Sequence, residues 1–155
     1  LVKNWKLVEK ETIYCMMDEF TNIGDIGKHK HLLADINNFR ECLKIRLYDG
    51  LYRSSDNILR NILVNSESKL MSIDEGDIFG KRKVIFNKND YFNNKKNISR
   101  TREEGIKIID EWDLNNKKVL VKKTMDEFKF KDKVSEMEER FSNFKAIFLD
   151  ELKSM

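Results

Sequence analysis

The chain has 155 residues, which is enough for one domain with a hydrophobic core. Charged residues make up 37% of it, but 30 Lys and Arg nearly balance 27 Asp and Glu, and the net charge is only +3. Nucleic-acid-binding proteins concentrate basic side chains on one face, so this balance does not predict a specific nucleic-acid partner. No apolar run has the length of a membrane span, and no signal-peptide pattern opens the sequence.

The two cysteines, Cys15 and Cys42, lie in apolar stretches, and neither belongs to a C-x-x-C pair. We therefore predict buried free thiols and an intracellular, cytoplasmic protein, because reducing compartments keep thiols free. His29 and His31 lie close together but have no third ligand near them in the sequence. We expect these two histidines at the surface rather than at a metal ion.

The first half of the chain reads as one strand, one helix and one hairpin. Residues 12–17 form an apolar run rich in strand formers, and residues 21–28 read as a loop or a helix entrance. Residues 31–48 carry apolar side chains at spacings of three and four, which predicts a helix that stops near Gly50. Two apolar segments at 62–64 and 70–73 flank a polar turn and predict a β-hairpin.

The second half reads as helical after a basic, Asn-rich stretch that we expect to be an exposed loop, with a mobile tip at residues 88–97. Helices are predicted over 101–112, with Ser99 or Thr101 as N-cap, over 119–130, and over 134–152. Asn115 and Asn116 are predicted to break the first from the second. The last segment is strongly amphipathic, and we expect it to pack on the core.

These elements predict a mainly helical α+β fold and a single domain over residues 1–155. Residues 1–20 are the strand region, 21–100 hold the long helix and the hairpin, and 101–155 form a helical tail. The chain begins with Leu1 rather than Met, and we expect it to be a segment of a longer polypeptide.

Three polar residues around the hairpin have the spacing that phosphoryl transfer requires. Such a reaction needs a carboxylate near the attacking hydroxyl and two oxygen ligands that hold Mg²⁺ against the phosphates. Asp56 is followed five positions later by Asn61, and Asp74 comes thirteen positions after Asn61, just beyond the second predicted strand. A hairpin of this length is what sets the distance between an Asn and an Asp at its open end.

The order of these elements resembles the hinge and C-terminal lobe of the protein-kinase-like superfamily. The order is strand, Met17-Asp18-Glu19-Phe20, helix, Asp56-x4-Asn61, hairpin and Asp74-x-Gly76. The resemblance covers residues 12–82, about half of the chain. It implies that main-chain groups near Glu19 and Phe20 bind the adenine of ATP. It also implies that Asp56 is the catalytic base or the group that orients the attacking hydroxyl, and that Asn61 and Asp74 are the Mg²⁺ ligands.

The sequence departs from ordinary protein kinases at three places. Ser54 and Ser55 stand where His-Arg normally precedes the catalytic Asp, Glu75 replaces the Phe of Asp-Phe-Gly, and a proline-free chain cannot contain Ala-Pro-Glu. Residues 73–80 are more similar to atypical branches, such as the phosphoinositide-kinase-like and actin-fragmin-kinase-like proteins.

A second register is open within those branches. Arg53-x-x-Asp56-Asn57 resembles the catalytic loop of lipid kinases, with Asn57 at the metal and Tyr52 in the place of the base. That register makes the separation between the metal ligands too long, so we favour Asn61.

The chain therefore supports two hypotheses about function. The first is an ATP- and Mg²⁺-dependent phosphotransferase whose acceptor is a protein, a lipid or a small molecule, and which is incomplete without an N-terminal lobe. That lobe would supply a glycine-rich loop and a strand lysine, and Lys3, Lys6 and Lys10 do not read as that lysine. The second is a catalytically inactive, kinase-derived scaffold or assembly protein. In a further interpretation, Asp56, Asn61 and Asp74 are simple turn residues.

Overall fold

The computed structural model describes residues 4–9, 12–16, 20–54, 59–73, 84–127 and 131–155. Two strands open the chain: β1, Asn4–Glu9, pairs antiparallel with β2, Thr12–Met16. The strand predicted over residues 12–17 is thus confirmed for residues 12–16, while Met17 lies outside the described residues; its partner β1 was not predicted. Charged and polar residues interrupt the apolar pattern of β1, so periodicity alone gives little signal for that strand.

A second sheet has three short antiparallel strands in the order β3, β4, β5. β3 is Gly24–Asp25, β4 is Ile62–Val64 and β5 is Leu70–Ser72. The pairing of β4 with β5, with Leu63 opposite Met71, confirms the predicted hairpin. β3 lies in the stretch predicted as a loop or helix entrance, and a two-residue strand is too short to show a period of two.

The long helix α1 runs over Ile36–Tyr52, later than the predicted 31–48. Residues Lys30–Ala34 form a separate 3₁₀ turn, and the Asp35 side chain caps α1 by accepting from the N–H groups of Asn37 and Asn38 at 2.8 and 3.1 Å. The predicted stop at Gly50 is wrong. A Cβ on Gly50 would lie 2.9 Å from both Cγ atoms of Ile85, so this glycine permits close packing inside the helix.

Helix α2 spans Ile98–Glu111, and the predicted caps Ser99 and Thr101 both lie inside it. Thr101 is fully buried, and its hydroxyl donates to the Phe92 carbonyl at 2.8 Å. That bond holds α2 against the 3₁₀ turn Tyr91–Asn93. Residues 88–97, predicted as a mobile tip, are therefore packed on the fold in part, because Phe92 is completely buried.

Helix α3 spans Leu114–Glu127 and helix α4 spans Lys131–Ser154. The predicted break at Asn115–Asn116 is wrong, since the interruption lies at Trp112 and Asp113. The Asp113 carboxylate accepts from the Asn116 N–H at 3.0 Å and so acts at the start of α3. The three predicted helices all exist, with earlier starts.

One hydrophobic core lies between α1, α2 and α4. α4 contributes apolar side chains at helical spacing, which confirms that this segment packs on the core. Aromatic rings in edge-to-face contact fill the space between elements; the ring centroids of Phe39 and Phe92, for example, are 5.1 Å apart. The helices of the described ranges include none long and apolar enough to cross a membrane. The buried residues of α4 are Met137, Phe141, Phe144, Phe148 and Leu152.

Candidate functional site

The candidate site centres on the loop that joins α1 to β4. Residues 55–58 of this loop, with Asp56 and the alternative ligand Asn57, lie outside the described residues, as do Glu19 and Asp74. The structure describes both ends of the loop, residues 53–54 and 59–61. It therefore shows how the loop is held rather than how its carboxylate is oriented.

The first end is closed by main-chain hydrogen bonds at the C-terminus of α1. Arg53 adopts a left-handed conformation with φ of 57°. This backbone conformation ends a helix by turning the chain so that the following N–H groups reach back to its last carbonyls. Here the Ser54 N–H donates to the Asp49 carbonyl at 2.8 Å, and the Arg53 N–H donates to the Gly50 carbonyl at 3.3 Å.

Ser54 occupies one of the two positions where ordinary protein kinases carry His-Arg, and it is 2% exposed. Its burial follows from the main-chain bond to Asp49, which draws it against the helix end. The Arg53 side chain points to α4 and forms an ion pair with Glu136. The start of the loop is thus joined to both α1 and α4.

Arg140 on α4 reinforces the same end. Its Nε donates to the carbonyls of Gly50 and Leu51 at 3.1 and 2.9 Å, and its Nη2 also donates to the Gly50 carbonyl. These carbonyls belong to the last turn of α1, which has no further helical N–H groups to bind. Burial, together with the nearby charge of Arg53, lowers the pKa of Arg140 from its ordinary value.

A buried ion-pair cluster lies one turn further back in α1. Arg46 is 1% exposed, and its guanidinium pairs with Asp90 and lies 3.7 Å from the Asp49 carboxylate. The other carboxylate oxygen of Asp90 accepts from the Phe92 N–H at 3.0 Å. The cluster therefore fixes the segment that carries Asp90 to the helix that leads into the candidate loop.

The second end of the loop is held by the hairpin. Residues Leu59–Asn61 form a 3₁₀ turn directly before β4. The Ile73 N–H donates to the Asn61 carbonyl at 2.8 Å, one step beyond the last ladder pair, Ile62 with Ser72. Asn61 is half-buried, and Ile73 is the residue that precedes Asp74. The hairpin thus brings the predicted ligand Asn61 next to the last described residue before the other predicted ligand.

The segment that follows the predicted hinge runs along the outside of the hairpin. The N–H groups of Ile23 and Ile26 donate to the carbonyls of Val64 and Ile62, each at 2.9 Å. Of the two predicted adenine-binding positions, Phe20 is described and half-buried. It lies three residues before Ile23, which bonds to the turn end of β4, whereas Asn61 lies at the other end of that strand.

Metal ligands other than the predicted ones do not gather in the described ranges. No group of three or more His, Cys, Asp or Glu side chains among the described residues could hold a metal ion. His29 and His31 have ring centroids 5.9 Å apart, His31 is exposed, and His29 is partly exposed. The expectation that the histidines lie at the surface is confirmed for His31.

A cleft of about 640 Å³ borders the second end of the loop at Leu59. Its walls come from residues 27–30 and from residues 87–94. No sequence motif indicated this cleft, because three segments far apart in the chain form it. The anchors Arg140 and Asp90 were missed for the same reason, since their partners lie 90 and 44 positions away.

Comparison of the chain with protein-family models, with curated proteins and with solved structures found no match. The resemblance to the protein-kinase-like superfamily thus rests on the motif spacing and on the arrangement of the hairpin.

Proposed function

We propose that the chain is the hinge and C-terminal lobe of an ATP- and Mg²⁺-dependent phosphotransferase of the protein-kinase-like superfamily, in an atypical branch. The observation that carries the proposal is the hydrogen bond between Ile73 and Asn61 at the open end of the hairpin. Ligands on two strands can share one metal ion only if the register brings their positions together. The register here sets Asn61 opposite Ile73, the residue that precedes Asp74 in the sequence.

Asn61 and Asp74 provide oxygen atoms of the kind that Mg²⁺ prefers. The bound ion would neutralise charge on the phosphates. Asn61 has a fixed main chain, because its carbonyl is bonded to Ile73 and β4 follows it directly. Asn61 and Asp74 fit a Mg²⁺ ion by the chemistry of their oxygen atoms and by the register of the hairpin. The remaining ligands of the ion would come from the phosphates and water.

Asp56 has the role of base in this proposal. Its carboxylate accepts the proton of the acceptor hydroxyl while the hydroxyl oxygen forms a bond to the γ-phosphorus of ATP. The bond between that phosphorus and the β–γ bridging oxygen breaks, and ADP leaves with the electron pair. The double anchoring of the loop supports this role, because transfer depends on positioning the reacting groups.

Glu19 and Phe20 hold the adenine through main-chain groups in this proposal. The pairing of residues 23–26 with β4 is the support for this role, since the chain that follows Phe20 runs along the strand that Asn61 precedes, although Ile23 and Asn61 lie at opposite ends of that strand. An N-terminal lobe that covers the phosphates is part of the proposal.

The acceptor in this proposal is a protein, a lipid or a small molecule. The chain itself has no specific nucleic-acid partner and no membrane span in this proposal, and it acts inside the cell, in the cytoplasm. The buried free thiol of Cys42 supports a reducing compartment.

The proposal is tested by ATP binding to the natural full-length polypeptide with and without Mg²⁺, measured by calorimetry. Asp74→Ala is expected to abolish the Mg²⁺-dependent part of the affinity. Asp110→Ala is the matched control, because Asp110 is an exposed carboxylate on α2 that pairs with Lys145. Unchanged Mg²⁺-dependent binding in Asp74→Ala would remove the metal assignment.

The second candidate is a catalytically inactive, kinase-derived scaffold. The observation in its favour is Ser54, which is buried against the end of α1 at a position where the active enzymes use a different residue pair. A scaffold predicts no ATP affinity with or without Mg²⁺. The same calorimetric titration therefore separates the two functions.

A further inference from the structure

The cleft of about 640 Å³ lies between two basic segments of the chain. Residues 27–31 and 87–96, which carry its main walls, contain five Lys and only one acidic residue, Asp90. Their excess of positive charge is larger than the net charge of +3 of the whole chain, so the remaining residues together are slightly acidic. A partner with negative charge is therefore attracted to this cleft more than to an average part of the surface.

Two of these lysines line the cleft from opposite walls. Lys30 and Lys88 are exposed, and neither forms an ion pair with a residue that the structure describes. The Asp90 carboxylate also lines the cleft, but it pairs with Arg46 through one oxygen and accepts from the Phe92 N–H through the other. The negative charge of the cleft is thus already neutralised, whereas the two ammonium groups keep their attraction for a ligand.

Both walls are held in place by the fold. On one wall, the carbonyl of Tyr91 accepts from the side-chain amide of Asn97 at 2.9 Å. On the other wall, the N–H groups of Lys28 and His29 donate to the Asp25 carbonyl at 3.1 and 3.2 Å. The main chain around the cleft is therefore fixed before a ligand arrives, and little conformational freedom is lost when one binds.

The uncharged groups of the cleft indicate a peptide. Asn87, Asn89 and Asn94 line it together with Tyr91. Each side-chain amide both donates and accepts, as the main chain of a peptide does, whereas the phosphodiester linkages of a nucleic acid offer acceptors alone. Single-stranded nucleic acids also stack their bases on several aromatic side chains, and Tyr91 is the one aromatic residue among the described residues that line the cleft.

The size of the cleft limits the partner further. Its volume of about 640 Å³ lies within the range of about 300–1,000 Å³ that is typical of sites for small ligands. A cleft of this size accommodates a short stretch of extended chain rather than the surface of a folded domain.

We propose that this cleft is a docking site for an extended acidic segment of a partner protein, rich in Asp and Glu. Carboxylates of the segment pair with Lys30 and Lys88, and its main chain bonds to the asparagine amides. Lys95 and Lys96 are exposed and directly follow Asn94, so they add positive charge beside the cleft. The inference goes beyond the proposed function and does not rest on it, because the side chains that carry it have no part in binding ATP or Mg²⁺ there.

The test is fluorescence anisotropy of a short fluorescein-labelled peptide of alternating Glu and Asp. The peptide is titrated with the natural full-length polypeptide at physiological ionic strength, without ATP or Mg²⁺. Saturable binding is expected, because the carboxylates pair with the two lysines of the cleft. A peptide of the same length with alternating Gln and Asn should not bind.

Substitution of the two lysines locates the binding in the cleft. Lys30→Gln and Lys88→Gln should each weaken binding about threefold, and the double variant about tenfold, the size expected for ion pairs that remain in contact with solvent. Lys123→Gln is the matched control, because it removes the same charge from an exposed lysine of α3 that is not among the residues bordering the cleft. This variant should bind the peptide as the wild type does.

Two results would overturn the inference. One is the absence of saturable binding of the acidic peptide. The other is a loss of affinity in Lys123→Gln as large as in Lys30→Gln, which would mean that overall charge explains the binding. Circular dichroism of each variant checks that the fold is retained, so a loss of binding can be assigned to the missing ammonium group.

Other polyanions are tested with the same variants. The probes are oligodeoxythymidine and phosphatidylcholine vesicles that contain phosphatidylserine. Binding of both is expected to be weaker than binding of the acidic peptide. If either binds more tightly and loses affinity in the double lysine variant but not in Lys123→Gln, the cleft serves a nucleic acid or a membrane surface, and the assignment to an acidic peptide is wrong.

The docking site and the proposed function can fail separately. Asp74→Ala should lose Mg²⁺-dependent ATP affinity while it still binds the acidic peptide, and the double lysine variant should keep its ATP affinity. Absence of peptide binding by a protein that binds ATP overturns the docking site alone. Peptide binding by a protein without ATP affinity supports the docking site and overturns the proposed function.

Discussion

The main-chain N–H of Ile73 donates to the carbonyl of Asn61 at 2.8 Å, at the end of the hairpin where the candidate loop enters the sheet. This one bond extends the ladder of β4 and β5 by a residue. Its direct consequence is that Asn61 and Ile73, twelve positions apart in sequence, lie opposite each other at one end of the hairpin.

If the proposed function is right, Asn61 and Asp74 hold one metal ion and should act as a unit. Asn61→Ala and Asp74→Ala are each expected to weaken Mg²⁺-dependent ATP binding by about tenfold or more. The double variant should lose less binding free energy than the sum of the losses in the two single variants, because residues that hold one ion couple by about 0.5–3 kcal/mol. A thermodynamic cycle by calorimetry measures this coupling, and strict additivity would mean that the residues do not share a metal.

Arg140→Met should destabilise the protein by about 2–4 kcal/mol. The substitution keeps the length of the side chain but leaves the carbonyls of Gly50 and Leu51 without their donor. Urea unfolding measures the free energy. Arg102→Met is the matched control, since Arg102 is an exposed residue that makes one bond of 3.3 Å to the Leu152 carbonyl. Equal losses in the two variants would show that Arg140 has no special anchoring role.

Gly105→Ala should destabilise the fold by about 1–3 kcal/mol although alanine is the better helix former. A Cβ at this position of α2 would lie 3.0 Å from Cε1 of the Phe148 ring and closer still to its Cζ. Phe148 is fully buried and cannot move away freely. Ser99→Ala, at an exposed position of the same helix, should be neutral or slightly stabilising. Thermal unfolding compares the two, and a stabilised Gly105→Ala would contradict the packing described for α2 and α4.

Cys42 should resist thiol reagents in the native protein. Burial raises the pKa of its thiol, so the reactive thiolate is not formed in the fold. In a Cys15→Ser background, labelling of Cys42 is expected to be as slow as global opening and to become fast in urea. Rapid labelling of the native protein would contradict its burial.

The raised pKa of the Cys42 thiol also affects the stability of the protein at alkaline pH. The native thiol keeps its proton above the pKa of an unfolded cysteine, about 8.5, so the native state then binds more protons than the unfolded state. The contribution of Cys42 to stability is present below that pH and is lost as the pH rises above it. Stability of the Cys42→Ala variant should therefore fall less steeply between pH 8 and 10 than that of the parent.

Glu104 should contribute a stability that disappears in acid. A hydrogen bond from Lys107, with another from Arg40, lowers the pKa of this carboxyl against the opposing effect of burial. A lowered native pKa gives stability that is present above the unfolded pKa, about 4.3, and is lost as the pH falls through the native pKa. Glu104→Gln should flatten the urea stability profile between pH 3 and 7. Glu103→Gln, at an exposed position that also pairs with Lys107, should leave it nearly unchanged.

The sequence was most informative where a pattern is local. The hairpin could be predicted because its two apolar segments and polar turn lie within one dozen residues, and α4 because its apolar residues recur at helical spacing. Helix starts were placed too late for α2 and α3. The reason is that the turns before these helices depend on the side chains of Asn94 and Asp113, which accept from the N–H groups of Asn97 and Asn116, and Asn and Asp are common throughout this chain.

Long-range contacts could not be predicted in the same way. Nothing near Arg140 in the sequence indicates that it donates to Gly50, and the exposed helical lysines and arginines around it have the same local pattern. The partners of Glu151 are likewise distant, since its carboxylate accepts from the N–H groups of Ile85 and Phe86. Tertiary packing decides such pairs, and a single sequence carries no signal for them.

Arg140 also has a consequence for the order in which the molecule is assembled. Its partner carbonyl at Gly50 precedes it by 90 positions, so during synthesis α1 and the candidate loop leave the ribosome long before their anchor exists. Closure of a segment this long is slow compared with the formation of a helix or a hairpin. The hairpin and the local main-chain bonds of Arg53 and Ser54 can form early, whereas the side-chain contacts from Arg140 and Glu136 form only when α4 docks. Newly made chains would thus pass through a stage in which both ends of the loop have their local bonds but the loop is not yet joined to α4.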